Sequence, residues 1–336
     1  MKPLRVNVLS ESVYGKEGQG VHTAFVDTVA MLKSRPDVEV QVNGREPADV
    51  VHAHTFGPLY WLRRHTAPRR IMSAHVIPES MEGSLVGWRW WQGAFTRYIT
   101  LAYNSVHAVV AVSPAVARRL REIGVKRRVE VVPNPVDLAA FHSGPALRAC
   151  GRQMLHLDPS VKVALCVGQI QPRKGVADFA AAAEACPEVK FVWIGGRPFG
   201  RLTDSYSDMN RIMETGPGNL VFAGTFDLTS MPALYCAADL FFFPSFQENC
   251  ALAIVEAAAC GLPLLLRELP EYRELYGDSF LSAKDIAGFI QAIRAFFSLP
   301  ETHAEWRSRA LRMAGQYDSR VICGRLVKLY QEVAGM

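Results

Sequence analysis

Two glutamates, Glu248 and Glu256, stand in the segment Phe241-Phe-Phe-Pro-Ser-Phe-Gln-Glu248-Asn-Cys-Ala-Leu-Ala-Ile-Val-Glu256-Ala-Ala-Ala-Cys-Gly261-Leu-Pro263. An apolar strand ends at Pro244, a short loop carries Glu248, and a helix runs on to Gly261, a C-terminal glycine backed by Pro263. That helix is apolar all round except at Glu256, and a helix without a polar face is a buried one. A buried carboxylate needs a partner or takes up a proton. Two partners stay open: the hydroxyls of a ribose diol, or an arginine such as Arg267. Glu248 precedes the helix N-terminus, where the backbone N–H groups of Asn249, Cys250, Ala251 and Leu252 can meet phosphate oxygens. Its carboxylate can accept from sugar hydroxyls, or can simply complement the helix dipole.

Other polar groups sit where strands end. Gly168-Gln-Ile-Gln-Pro-Arg173-Lys174-Gly175 follows a strand, and a basic pair beside a glycine suits a diphosphate or is a solvated turn. Glu17-Gly18-Gln19-Gly20 joins the first strand to the first helix; as a dinucleotide fingerprint it lacks its third glycine. His75, in Ser73-Ala-His-Val, ends another strand and can hydrogen-bond a sugar hydroxyl, though a lone histidine is more often structural. His52 and His54 follow a strand in Val50-Val-His-Ala-His and read as supporting residues. No acidic ligands accompany them and no Asp-x-Asp element is present, so no metal is expected. The seven cysteines form no C-x2-C pair and read as reduced thiols.

The elements that must hold these groups alternate. In the first half, strands are expected at 4–9, 38–42, 50–53, 70–73, 108–112 and 129–132, with a helix at 21–35. In the second half, strands at 161–167, 189–194, 220–222, 240–243 and 262–266 alternate with helices at 176–185, 231–238 and 252–260. The polar stretch 141–160, with Gly144, Pro145 and Pro159, reads as a linker. This βαβ alternation predicts two parallel-sheet domains with a ligand cleft between them. The chain of 336 residues is long enough for two cores, and 49% apolar with 21% charged residues excludes a disordered chain. The net charge of +5 suits an anionic ligand or surface. The first residues read as a strand rather than a signal peptide, and the longest apolar run, 250–266, is broken by Glu256 and Gly261-Leu-Pro263.

Glu248-x7-Glu256, between Pro-Ser and Ala-x-Gly-x-Pro, resembles the donor motif of glycosyltransferase family 4. The resemblance covers nearly the whole chain. It implies an α/β GT-B fold: two Rossmann-like domains whose parallel sheets face an interdomain cleft, with residues 1–145 binding acceptor, 155–315 binding the nucleotide sugar, and a C-terminal helix in 316–336 returning to the N-terminal domain. It implies retention of anomeric configuration, no metal and no cofactor beyond the nucleotide-sugar substrate. By the same resemblance Glu248 contacts the transferred sugar, Glu256 the ribose, Arg173 and Lys174 the pyrophosphate, Gly18 and Gly20 the donor phosphate, and His75 the transferred sugar. Three positions depart from the family pattern: Ala251 and Pro135 stand for glycines, and Gln169 for an arginine.

The segment from Ser73 through Gly87 to Trp88-Arg-Trp-Trp91, with Tyr103-Asn104 and Leu266-Arg-Glu-Leu-Pro-Glu-Tyr272, resembles bacterial diacylglycerol α-glucosyltransferases. This implies glucose transfer from UDP-glucose to a lipid such as diacylglycerol, by a cytoplasmic protein peripheral on the inner face of the cell membrane. Trp88, Trp91, Phe95, Tyr98 and Ile99 recur at helical spacing among arginines, as a membrane-surface helix would have them, or as a core stripe would. Nucleic acid is not an expected partner. A soluble or polysaccharide acceptor, or a nucleotide-sugar epimerase of the same fold, are the competing readings.

Overall fold

The computed structural model describes residues 2–14, 20–81, 88–196 and 206–335. The chain divides into two compact units. One holds the described residues up to Pro135 together with the segment from Tyr317 onward, and the other holds those from Val136 to Gln316.

In the N-terminal unit six strands form one parallel sheet. They are β1 (Leu4–Leu9), β2 (Val38–Val42), β3 (Val50–Ala53), β4 (Arg69–Ala74), β5 (Ala108–Ala111) and β6 (Arg128–Val131). Their spatial order is β2-β1-β3-β4-β5-β6. β3 and β5 are buried at every residue, as parallel strands covered on both faces must be. The helix Ser319–Ala334 belongs to this unit: Ile322, Leu326, Val327 and Tyr330 pack against Val6, Val8, Leu32 and Val50.

The C-terminal unit repeats the architecture with β7 (Lys162–Val167), β8 (Val189–Ile194), β9 (Leu220–Gly224), β10 (Leu240–Phe243), β11 (Leu264–Arg267) and β12 (Leu281–Ala283). Here the order is β12-β11-β10-β7-β8-β9, all parallel. The strand sequence therefore reverses direction between β7 and β10, the topological switch point at which open α/β sheets bind ligands. Aromatic side chains fill the core, with Phe179 stacked on Phe242 at 5.3 Å and edge-on to Trp193 at 5.2 Å.

The expected linker is not a linker. Residues 145–154 form a helix, Pro145–Met154, with Gly144 as N-cap and Pro145 in its first turn. Gly-Pro punctuates a helix start as well as a loop. The helix packs tightly on Met231–Cys236: a Cβ at Gly151 would lie 1.9 Å from the Ala233 carbonyl oxygen. Arg152 is buried and donates to the carbonyls of Ala237 at 3.1 Å and Val161 at 2.9 Å. The unit boundary accordingly falls at Pro135, ahead of residue 145.

Candidate active site

The loops that leave β7 and β10 meet at the switch point. After β10, Phe246 N donates to the Arg173 carbonyl at 2.9 Å, and Ser245 Oγ lies 3.2 Å from the same oxygen. Arg173 answers by donating from Nη1 to the Gln247 carbonyl at 2.7 Å. The crossing is close because Gly175 has φ +77°, where a side chain is strained, and a Cβ there would sit 2.4 Å from the Pro244 carbonyl oxygen.

This crossing joins the predicted charges. Lys174 Nζ donates to Glu248 Oε1 at 2.5 Å, Arg173 Nη1 lies 3.7 Å from the same oxygen, and Ser245 Oγ donates to it at 2.7 Å. All three charged side chains are largely buried. Burial pushes the Glu248 carboxyl up, but the charges of Lys174 and Arg173 and the two hydrogen bonds outweigh it and hold the pKa below its ordinary value. Burial also lowers Lys174, against the opposing pull of Glu248. Arg173 Nε is buried without a hydrogen-bond partner.

The helix Leu252–Ala259 starts just beyond. Its N-cap, Ala251, supplies no side-chain hydrogen bond to the first turn, so the leading N–H groups depend on partners from outside the helix. Cys250, Ala251 and Leu252 are buried and Asn249 is half-buried. Glu256 is buried in the same helix, and Tyr235 donates its hydroxyl to Glu256 Oε2 at 2.6 Å. Arg267 is not its partner. That guanidinium pairs with Asp178, donates to the Pro244 carbonyl at 3.0 Å and lies over the Phe246 ring at 3.8 Å. Burial raises the Glu256 pKa to about 7, the Tyr235 hydrogen bond opposing. The sequence did not single out Tyr235, which lies in the apolar helix Met231–Cys236.

His75, just beyond β4, belongs to a cluster within the N-terminal unit. Its Nε2 lies 3.0 Å from His54 Nδ1. His52 is held by the Tyr330 hydroxyl at 2.7 Å and Ser73 Oγ at 2.8 Å. Burial lowers all three: His52 to about 3, His75 to about 4, and His54 well below its ordinary value, so the rings are neutral at neutral pH. They line a cavity of about 20 Å³ with Thr28, Asn134 and Leu326. Among the described residues, no group of three or more His, Cys, Asp or Glu is arranged to hold a metal ion. Gly20 opens the helix Gly20–Lys33; Glu17 and Gly18 lie outside the described residues.

The aromatic stripe divides. Trp88 and Ile99 are buried, Trp88 edge-on to Trp91 at 4.6 Å and to Phe95 at 5.3 Å, so these two serve the core. Trp91 and Tyr98 are partly exposed, while Trp90 is 93% exposed and, in the preceding helix Pro58–Arg63, Leu62 is 76% exposed. Of the two readings left open for the stripe, core or surface, Trp88 and Ile99 take the first, and Trp90, which the helical spacing did not include, is the most exposed of the three tryptophans.

Comparison with known proteins places this geometry. Residues 40–140 match the family described as Glycosyltransferase Family 4, and residues 161–298 match Glycosyl transferases group 1. The α-galactosylglucosyldiacylglycerol synthase of Streptococcus pneumoniae is 31% identical over all of this chain and 91% of its own length. The processive diacylglycerol α-glucosyltransferase of Acholeplasma laidlawii is 24% identical over 80% of each. Among solved structures, sucrose-phosphate synthase from Thermosynechococcus elongatus superposes with a TM-score of 0.81 over 99% of both chains at 16% identity, which identifies the fold as GT-B.

Proposed function

This chain belongs to glycosyltransferase family 4, and we propose that it transfers a hexose from a nucleotide sugar, UDP-glucose in the first instance, to a diacylglycerol-based lipid with retention of configuration. The observation that carries the donor half is the convergence of Lys174, Arg173 and Glu248 at the switch point, beside a helix start that has no side-chain cap. Lys174, Arg173 and the helix N–H groups would neutralise charge on the departing diphosphate, which is the principal electrostatic demand of the reaction. Glu248, anchored by Lys174 and Ser245, would orient the sugar hydroxyls, and Glu256 would accept from the ribose diol. His75 is assigned to the transferred sugar. In this reading Glu248 forms no covalent intermediate, no metal ion is needed, and a donor phosphate oxygen takes the acceptor proton on the face the leaving group departs from.

The acceptor half rests on the two relatives, whose names both specify an α-linked sugar on a diacylglycerol lipid. An α-linkage formed from an α-linked nucleotide sugar is retention. Peripheral attachment to the inner face of the cell membrane is part of the proposal. It is supported by the exposed Trp90, Leu62 and Leu101 among Arg63, Arg64 and Arg97, a combination suited to the headgroup boundary of an anionic bilayer. Among the described residues no helix is long and apolar enough to cross a membrane.

The test incubates the chain with UDP-glucose or UDP-galactose and mixed micelles of diacylglycerol or monoglucosyldiacylglycerol, and identifies products by mass spectrometry. An α-hexosyl lipid, lost in Glu248→Ala, is the expected result. Transfer only to soluble sugars would overturn the acceptor assignment. Conversion of the donor to its epimer without lipid would identify the epimerase reading instead.

A further inference from the structure

Glu256 is the one polar side chain of the helix Leu252–Ala259, and the group that meets it comes from another helix. Tyr235 lies in Met231–Cys236, six residues that are all buried. Its ring packs against Phe241 at 5.9 Å and Phe141 at 6.1 Å and is closed off from solvent. The two helices are tied a second time at their C-terminal ends: the Cys260 thiol is hydrogen-bonded to that of Cys236 and lies 3.8 Å from the Pro232 carbonyl oxygen. A packed ring with two rotatable bonds is a fixed donor, whereas a glutamate side chain has rotamer freedom to lose. The direction of the bond follows from charge. An ionised carboxylate only accepts, and burial beside that carboxylate pushes the Tyr235 hydroxyl well above its ordinary value, so the phenol keeps its proton. Tyr235 donates, and the oxygen it engages is Oε2, at 2.6 Å.

We propose that Tyr235 is a positioning residue for the nucleotide: by donating to Oε2 it turns the Glu256 carboxylate so that Oε1 is the oxygen that accepts from the ribose diol. This rests on the assignment of Glu256 to the ribose and adds to it. One phenol offsets only part of the cost of burial, and the carboxyl still stands at about 7. Ribose hydroxyls at the second oxygen favour the same charged form. Preference for a ribose over a sugar without its hydroxyls therefore grows with pH, and Tyr235 sets where it grows. Three thiols lie near the pair: Cys260, Cys236 and, on β7, Cys166. The hydrogen bond from Cys260 lowers the Cys236 thiol from its ordinary value, into reach of the same pH range. The arginines of the neighbouring elements are engaged elsewhere. Arg307, from the helix His303–Gly315, donates to Ser143 Oγ at 2.6 Å, Arg267 pairs with Asp178, and Arg148 and Arg152 pair with Asp239.

The test measures the dissociation constants of UDP and of 2′,3′-dideoxy-UDP for the full chain by isothermal titration calorimetry between pH 6 and pH 9, and reads their ratio. Ionisation of Cys236 and of the terminal phosphate acts on both ligands and divides out. In the parent the ratio should rise with pH and reach on the order of 10- to 100-fold at pH 8, the worth of a hydrogen bond to a charged group. In Tyr235→Phe the rise should be displaced upward by about one pH unit or more, since the lost donor favoured the charged form. A ratio curve in Tyr235→Phe superimposable on that of the parent overturns the positioning role, whatever the loss of affinity for UDP itself, because a ring that only packs would weaken both ligands alike. Glu256→Gln should show a smaller ratio that does not change with pH. A ratio near one in the parent, or one that still rises in Glu256→Gln, overturns the assignment of Glu256 to the ribose and the positioning role with it. Should Tyr235→Phe not fold, Tyr235 is replaced by 3-fluorotyrosine, a more acidic phenol and a stronger donor on the same ring. The rise should then move to lower pH, and an unmoved rise overturns the positioning role.

Discussion

Glu256 offers a test in which stability and ligand binding should respond to the same proton. Its carboxyl is buried, receives one hydrogen bond from Tyr235, and titrates near 7 in the folded chain against an ordinary value of 4.5. Between those values the unfolded chain has released a proton that the folded chain still holds, so raising the pH favours unfolding. Stability is fully present below pH 4.5 and is lost as pH rises through 7, at about 1.4 kcal/mol per pH unit. About 3 kcal/mol is lost across the window. Glu256→Gln has no such proton, and its amide oxygen can still accept from Tyr235. Urea unfolding at pH 5, 6, 7 and 8 should therefore show the variant gaining on the parent by about 2–3 kcal/mol from pH 5 to pH 8. Hydroxyl donors favour the charged carboxylate, so from pH 6 to pH 8 UDP should gain more affinity for the parent than for the variant, which keeps only the gain from the second ionisation of the terminal phosphate. A stability difference constant across the series would refute the buried, unpaired carboxyl. The expected gain of the variant over the parent in stability, with UDP affinity following pH equally in both, would refute ribose recognition by Glu256 alone.

Two further outcomes follow from other parts of the structure. Gly175→Ala forces a side chain into left-handed backbone at φ +77° and drives its Cβ against the Pro244 carbonyl; we expect a loss of at least about 1–2 kcal/mol in thermal unfolding together with a fall in kcat, because the displaced loops carry Lys174 and Glu248. The double variant Trp90→Ala/Leu62→Ala removes the two most exposed of these apolar side chains and should abolish co-sedimentation with vesicles rich in phosphatidylglycerol while leaving the melting temperature unchanged; retained co-sedimentation would refute the membrane surface.

What the sequence revealed of the site was the part written locally. The apolar run of β10, the turn at Pro244 and the helix ended by Gly261 can be read residue by residue, since each follows from a period or a breaker. So can the basic pair after β7. Their meeting cannot. Lys174 reaches Glu248 because β10 lies beside β7, and that adjacency follows from a crossover that leaves β9 and passes back over β8 and β7. Periodicity reports which face of an element is apolar and not which neighbour covers it. The same limit made Glu256 ambiguous. Arg267 is near in sequence, yet Asp178 and the Pro244 carbonyl hold its guanidinium elsewhere, and Tyr235 carries no signal until its helix is docked. It also explains Trp90, one of three tryptophans within one turn: composition marks the turn as amphipathic, but only tertiary packing decides that Trp88 is buried and Trp90 exposed. The expected linker failed for the converse reason. Gly144-Pro145 is correct punctuation, but the helix it starts is held by Gly151 and Arg152, whose partners Ala233 and Ala237 lie in and at the end of another helix. Charged groups brought together by strand order rather than by spacing also depend on one another energetically. Removing Lys174 would leave Glu248 buried beside a more distant arginine, so the two substitutions should be far from additive, and a double-mutant cycle on Lys174 and Glu248 that came out additive would mean the 2.5 Å contact contributes nothing to the folded chain.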